Sequence, residues 1–152
     1  MLRISLKNPE SGWAFASLSD GDNELVVTGP YAPDDVLRDL VDAVQSLQTA
    51  ESAECCWFQE PGELHWNLRR RDNDIEVEIL RFPDIGFPGH HRGIVESVFK
   101  ARGSWSTFAR QLFSSLESIK NDLGLEGYRQ AWRHPFPAEA YEKLRNAIQR
   151  EE

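Results

Sequence analysis

Two adjacent histidines form the most visible group of metal-binding side chains in the sequence. His90 and His91 lie between Asp84 and Arg92 in the segment PDIGFPGHHRG, which spans residues 83–93. Imidazole and carboxylate groups are ligands for transition metals. Neighbouring histidines are not a recognised ligand spacing, however, and no HxH, HExxH or CxxC motif accompanies them. We therefore expect no metal and no other cofactor.

The chain has two cysteines, Cys55 and Cys56, which are neighbours. A disulfide between them would close a strained ring, so no ordinary disulfide framework is possible. A catalytic thiol needs a nearby histidine or a helix N-terminus to lower its pKa, and the sequence shows neither. We interpret both cysteines as small apolar residues on opposite faces of a strand. His65 and His134 are interpreted as structural or surface groups.

Local motifs of the common enzyme classes are absent from the sequence. The chain contains no phosphate-binding glycine loop, no nucleophile elbow and no dinucleotide fingerprint. The sequence therefore favours a protein that is not an enzyme and has no catalytic residues. A small metal-dependent or hydrolytic enzyme centred on residues 83–93 remains an alternative, because an active site can leave no local trace.

The net charge of −8, from 25 acidic and 17 basic residues, limits the classes of partner. Nucleic acids and anionic membranes both attract basic surfaces, so we expect neither as a partner. Three aspartates share one side of a predicted helix, where clustered carboxylates would favour a basic protein. Exposed loops on a rigid scaffold also commonly carry recognition. The predicted partner-binding residues are Asp35, Asp39, Asp42, Asp84, His90, His91 and Arg92.

Apolar periodicity divides the chain into strands and helices. Alternation predicts strands at residues 2–6, 13–18, 24–28, 54–58, 64–71, 75–82 and 94–101, although the apolar residues of the last segment also fit one helical face. Helical spacing predicts helices at residues 34–48, from Ser104 or Ser106 to Gly124, and after Pro137.

The hairpin turn at Asp72-Asn73 also predicts a register. A two-residue loop there pairs Leu68 with Val77 on one face and Arg69 with Glu76 on the other. Both pairs are chemically consistent, which supports this register.

The grouping of strands and helices along the chain indicates an α+β fold. We expect an antiparallel sheet of six or seven strands with about three helices packed on one face. A length of 152 residues suits a single domain covering residues 1–152. The N-terminus lacks the pattern of a secretory signal, and no segment is apolar enough to span a membrane, so a cytoplasmic protein is expected.

Two long stretches of the sequence carry a resemblance. The stretch ECCWFQEPGELHWNLRRRDNDIEVEILRF and the later segment GYRQAWRHPFP resemble small bacterial proteins of uncharacterised domain families. Some acidic α+β proteins of this kind are immunity proteins, which are encoded beside a secreted toxin and block it in the producing cell. The resemblance implies a module that neutralises a cognate toxin domain, and it assigns no functional residue. A self-associating structural or regulatory domain is a further alternative, and the oligomeric state stays open.

Overall fold

A computed structural model describes residues 1–59, 62–85, 91–92 and 95–152 of the chain. Within these residues the fold is α+β, with two principal antiparallel sheets of three and four strands and with three helices. The predicted fold class is therefore confirmed. The expected single sheet of six or seven strands is wrong, because the two groups of strands do not pair with each other.

The first sheet is a meander of neighbouring strands, as the alternation of apolar residues predicts. It contains β1 (Leu2–Leu6), β2 (Trp13–Asp20) and β3 (Asn23–Pro30) in that order. One face carries small and branched apolar side chains that are buried, namely Leu2, Ile4, Leu6, Ala14, Ala16 and Leu18. This face forms one wall of the core.

The second sheet follows the first helix. It contains β4 (Ser52–Phe58), β5 (Glu63–Arg71) and β6 (Asp74–Phe82), and a short ribbon of β7 (Asp84–Ile85) and β8 (His91–Arg92) precedes its last strand, β9 (Glu96–Ser104). The predicted hairpin register is confirmed, since Leu68 lies opposite Val77 and Arg69 opposite Glu76.

Side chains of a helix occupy the outer edge of β1, which could otherwise pair with another strand. On the outer edge of β1, the backbone N–H of Ile4 donates to Gln111 Oε1 and that of Leu6 donates to Ser115 Oγ. β1 also packs closely against β9. A side chain at Gly103 on β9 would place its Cβ only 2.9 Å from the Cβ of Leu2 on β1. Strand pairing at this edge is thus replaced by contacts to a helix and by close packing.

Three helices complete the described fold. The helix α1 (Val36–Ser46) is capped by Asp35, whose carboxylate accepts the Arg38 N–H. The helix α2 (Trp105–Trp132) begins at the predicted Ser104 cap and continues past its expected end at Gly124, where the backbone breaks with φ 69° and ψ 171°. The third helix is α3 (Ala138–Arg150).

The core lies between the inner faces of both sheets and the helices. Four tryptophans are fully buried in it, namely Trp57, Trp66, Trp105 and Trp132. α2 packs on β1, and α1 packs on β4 and α3. None of the helices in the described ranges has the length and apolarity that a membrane crossing requires.

Candidate functional site

The outward side of the second sheet carries polar residues from all four strands. Because side chains alternate along a strand, most apolar residues enter the core and the polar ones point away from it, although Leu80 and Phe82 share the outward side with His65 and Glu63. Two rows of directly opposite residues cross the sheet, Ser52 to Arg69 to Glu76 to Arg102 and Glu54 to Asn67 to Glu78 to Lys100. We call this side the open face; it extends from Cys56 and His65 at one end to Arg71 and Asp74 at the other.

One half of the open face is a hollow with a volume of ≈ 1120 Å³. Its lining includes the exposed guanidinium groups of Arg69 and Arg71, and within the described residues neither forms an ion pair or a side-chain hydrogen bond. Arg102 lies 3.8 Å from Asp74, and both side chains stay well exposed. Cations and carboxylates therefore lie side by side in this hollow, with their charged groups accessible.

The other half of the open face holds a cluster of three different donor groups. Cys56 on β4 lies directly opposite His65 on β5, and Glu63 begins β5 two residues earlier. Glu63 Oε1 lies 2.7 Å from His65 Nε2, and the Cys56 thiol donates to Glu63 Oε2 at 3.4 Å. The sulfur, nitrogen and oxygen donors all lie within 4.8 Å of one another.

Packing fixes the position of this cluster. The Glu63 carboxylate is buried, with 7% of the residue exposed. The His65 ring packs on Phe82, with the ring centroids 4.3 Å apart. A side chain at Gly62 would collide with the carbonyl oxygens of Phe82 and Pro83, so the turn into β5 approaches the end of β6 closely. We call Cys56, Glu63 and His65 the donor cluster.

The electrostatic surroundings keep the Cys56 thiol protonated. Burial raises the pKa of this thiol to about 12, with further contributions from the negative charge of Glu63 and the hydrogen bond to it. Cys55 points to the core, where burial also raises its pKa. The two thiols therefore lie on opposite faces, as predicted. Neither has the thiolate character that a nucleophilic cysteine needs at neutral pH.

The predicted acidic helix face is only partly available to a partner. Asp35 is 6% exposed, and its Oδ1 accepts hydrogen bonds from the Arg38 N–H and from Trp132 Nε1, so its role is structural. Asp39 and Asp42 are half-buried, and burial raises the pKa of both carboxyl groups. Partner binding by Asp39 and Asp42 stays a prediction.

The predicted loop residues lie at the end of the open face that holds the donor cluster. The backbone of Asp84 pairs with that of Arg92, and Ile85 pairs with His91, so regular structure does not lapse throughout residues 83–93 as expected. The ribbon starts two residues after Phe82, which lies opposite Glu63. His90 falls outside the described residues.

The donor cluster was missed in the sequence because its members are spread over two strands. The hairpin register would have revealed it, since extending the β4–β5 pairing from Phe58 opposite Glu63 places Cys56 opposite His65. The sequence signal for this cluster was therefore the pairing of two strands, because the three residues do not match a known motif spacing. The chain matches no protein-family model, no curated protein and no solved structure.

Proposed function

We propose that this protein is a non-enzymatic protein-binding module and that the open face is its binding surface. The observation that carries the proposal is the pair of exposed arginines, Arg69 and Arg71, which line a hollow without an intramolecular ionic partner among the described residues. Arginine binds carboxylates in a bidentate geometry. Carboxylates of a partner could therefore bind the guanidinium groups of Arg69 and Arg71, which the fold leaves accessible.

The neighbouring acids define the rest of the complementary surface. Glu54 and Glu76 belong to the same hollow and would attract basic groups of the partner. Alternating charges of this kind favour one orientation of docking and penalise wrong partners. The net charge of −8 further favours encounter with a partner that is basic as a whole.

The dimensions of the open face suit a protein partner. Four strands about 4.8 Å apart and up to nine residues long cover roughly 19 by 30 Å. This footprint of roughly 570 Å² approaches one side of a standard protein–protein interface, about 800 Å² per partner. The backbone ribbon that adjoins this face would extend the contact at one end.

The resemblance in the sequence supports a biological role for this module. We propose that it acts as an immunity protein, occluding a toxin domain in the cytoplasm of the producing cell. The raised pKa of Cys56 argues against a hydrolase that would use this thiol as its nucleophile, because a thiol that stays protonated reacts poorly.

Site-specific cross-linking in cells of the source organism tests the proposal. A photoreactive amino acid replaces Asn67, at the centre of the open face, in one variant and Asn146, exposed on α3, in the other. We expect the Asn67 variant to form an adduct with one protein that mass spectrometry identifies. Adding Arg69→Glu and Arg71→Glu should remove that adduct. Equal adduct yields from both positions would contradict the proposal.

The immunity role has its own test once the partner is known. Production of the partner alone should arrest growth, and co-production of the wild-type protein should restore it. The Arg69→Glu/Arg71→Glu variant should restore growth poorly although it folds. A partner that is harmless to the cell would remove the immunity role and leave the binding surface in place.

A further inference from the structure

Although the sequence motifs alone indicate no metal, we propose that the donor cluster formed by Cys56, Glu63 and His65 is a binding site for a zinc ion. The chemistry of the donors supports zinc, because thiolate, imidazole and carboxylate are the three ligand types that zinc takes in proteins. Calcium and magnesium favour sites made of oxygen donors. The mixed set therefore selects a borderline-soft metal.

The separations of the donor atoms are already close to those around a bound zinc ion. Donor atoms bound to one tetrahedral zinc lie roughly 3.3–3.6 Å apart, as the zinc–ligand bond lengths require. The Cys56 sulfur is 3.4 Å from Glu63 Oε2, and all three donor atoms lie within 4.8 Å of one another. The short contact of 2.7 Å between His65 Nε2 and Glu63 Oε1 would open by less than about 1 Å on binding.

Two features of the fold hold the ligands in place. Cys56 and His65 are direct cross-strand neighbours, so the sheet fixes the separation of their backbones. The packing of His65 on Phe82 orients the imidazole ring. Rigid supports of this kind reduce the entropy lost when a metal is bound.

Three protein ligands leave one tetrahedral position for another group. Structural zinc sites commonly use four ligands, so a water molecule or a side chain of a bound partner would complete this one. Binding replaces the proton of the Cys56 thiol with the metal, and that proton passes to the solvent.

Cobalt and zinc titrations of untagged protein, reduced and freed of metal with a chelator, test this site. We expect one equivalent of Co²⁺ to produce a thiolate-to-cobalt charge-transfer band, and Zn²⁺ to abolish the band by displacing the cobalt. Zinc affinity is measured by competition with a chromophoric chelator. Wild-type protein without a thiolate band, or with no uptake of zinc, overturns the proposal by itself.

The adjacent cysteines provide a matched control. Cys56→Ser should remove the charge-transfer band, and Cys56→Ser and His65→Gln should each weaken zinc binding at least about tenfold. Cys55→Ser removes the neighbouring thiol, which faces the core, and should leave both readouts unchanged. Circular dichroism establishes that each variant is folded. A band that survives in Cys56→Ser, or disappears in folded Cys55→Ser, contradicts the assigned ligands.

Discussion

One carboxylate oxygen of Asp35 connects two distant parts of the chain. Asp35 Oδ1 accepts the Arg38 N–H at 3.1 Å, which caps α1, and the Trp132 indole N–H at 2.9 Å, which lies at the end of α2. Both Asp35 and Trp132 are buried. Removal of this carboxylate would leave a helix terminus without its cap and a buried indole donor without a partner.

We predict that Asp35→Ala lowers the free energy of unfolding by about 2–4 kcal/mol, as the sum of a lost helix cap and an unsatisfied buried donor. Asp34→Ala removes the exposed neighbouring carboxylate and should change stability by less than about 0.5 kcal/mol. Urea denaturation measures both values. Equal effects of the two substitutions would mean that the contacts of Asp35 do not stabilise the fold.

The two thiols make stability depend on pH in the alkaline range. Burial raises the pKa of Cys56 to about 12 from the usual 9.0 and also raises that of Cys55. The unfolded chain therefore releases thiol protons at a pH where the folded chain keeps them. Stability contributed by the protonated thiols is complete below the unfolded pKa and is lost as pH rises through the interval between the two pKa values.

We predict that the melting temperature falls as pH is raised from about 8 to about 10, and that the fall is smaller in the Cys55→Ser/Cys56→Ser variant. Calorimetry at matched ionic strength gives both slopes. Parallel slopes for wild type and variant would show that the thiols keep ordinary pKa values in the fold.

At the scale of elements, α2 protects the outer edge of β1. Gln111 and Ser115 lie one helical turn apart and accept the backbone N–H groups of Ile4 and Leu6. An uncovered strand edge can pair with a second chain, so this contact also limits self-association.

We predict that Gln111→Ala/Ser115→Ala lowers stability by about 1–3 kcal/mol, because two backbone donors lose their acceptors. Hydrogen exchange at Ile4 and Leu6 should become faster. Ser114→Ala changes an exposed serine on the same helix and serves as the control. Unchanged exchange rates at both amides would show that the side chains of Gln111 and Ser115 do not protect the edge of β1.

The amphipathic helix α1 offers a comparison of its two sides. Leu40 is fully buried, whereas Asp42 is half-buried and its pKa is raised by desolvation. We predict a loss of about 2–5 kcal/mol for Leu40→Ala, and little change for Asp42→Asn because the charged form already bears a desolvation cost. A thermal melt with equal losses for both would contradict this assignment of the buried side.

The sequence predicted elements whose determinants are local. The alternation of β5 and β6 and the turn at Asp72-Asn73 lie within one continuous stretch, so the hairpin register could be worked out in full. The separation of the sheets could not, because it depends on contacts such as Gln111 with Ile4 that join distant residues. The burial of Asp35 depends in the same way on Trp132. Helical periodicity alone cannot distinguish such a carboxylate from a solvated one.

At the scale of the whole molecule, the open face and α1 offer two different surfaces to a partner. The open face presents Arg69 and Arg71 without intramolecular ionic partners in the described chain, whereas Asp39 and Asp42 are half-buried on α1. A partner can reach the exposed, unpaired arginines directly, whereas the half-buried carboxylates are less accessible to it. The open face is therefore the stronger candidate for the contact.

The affinity of charge-reversal variants for the cross-linked partner tests the central claim most directly. Arg69→Glu/Arg71→Glu reverses the open face, and Lys143→Glu/Arg145→Glu makes the same change in net charge on the exposed side of α3. We predict that the first variant binds at least about tenfold more weakly, which corresponds to about 1.4 kcal/mol, while the second stays within about twofold of wild type. Equal dissociation constants for the two folded variants, measured at physiological salt, would contradict the assignment of the open face as the binding surface.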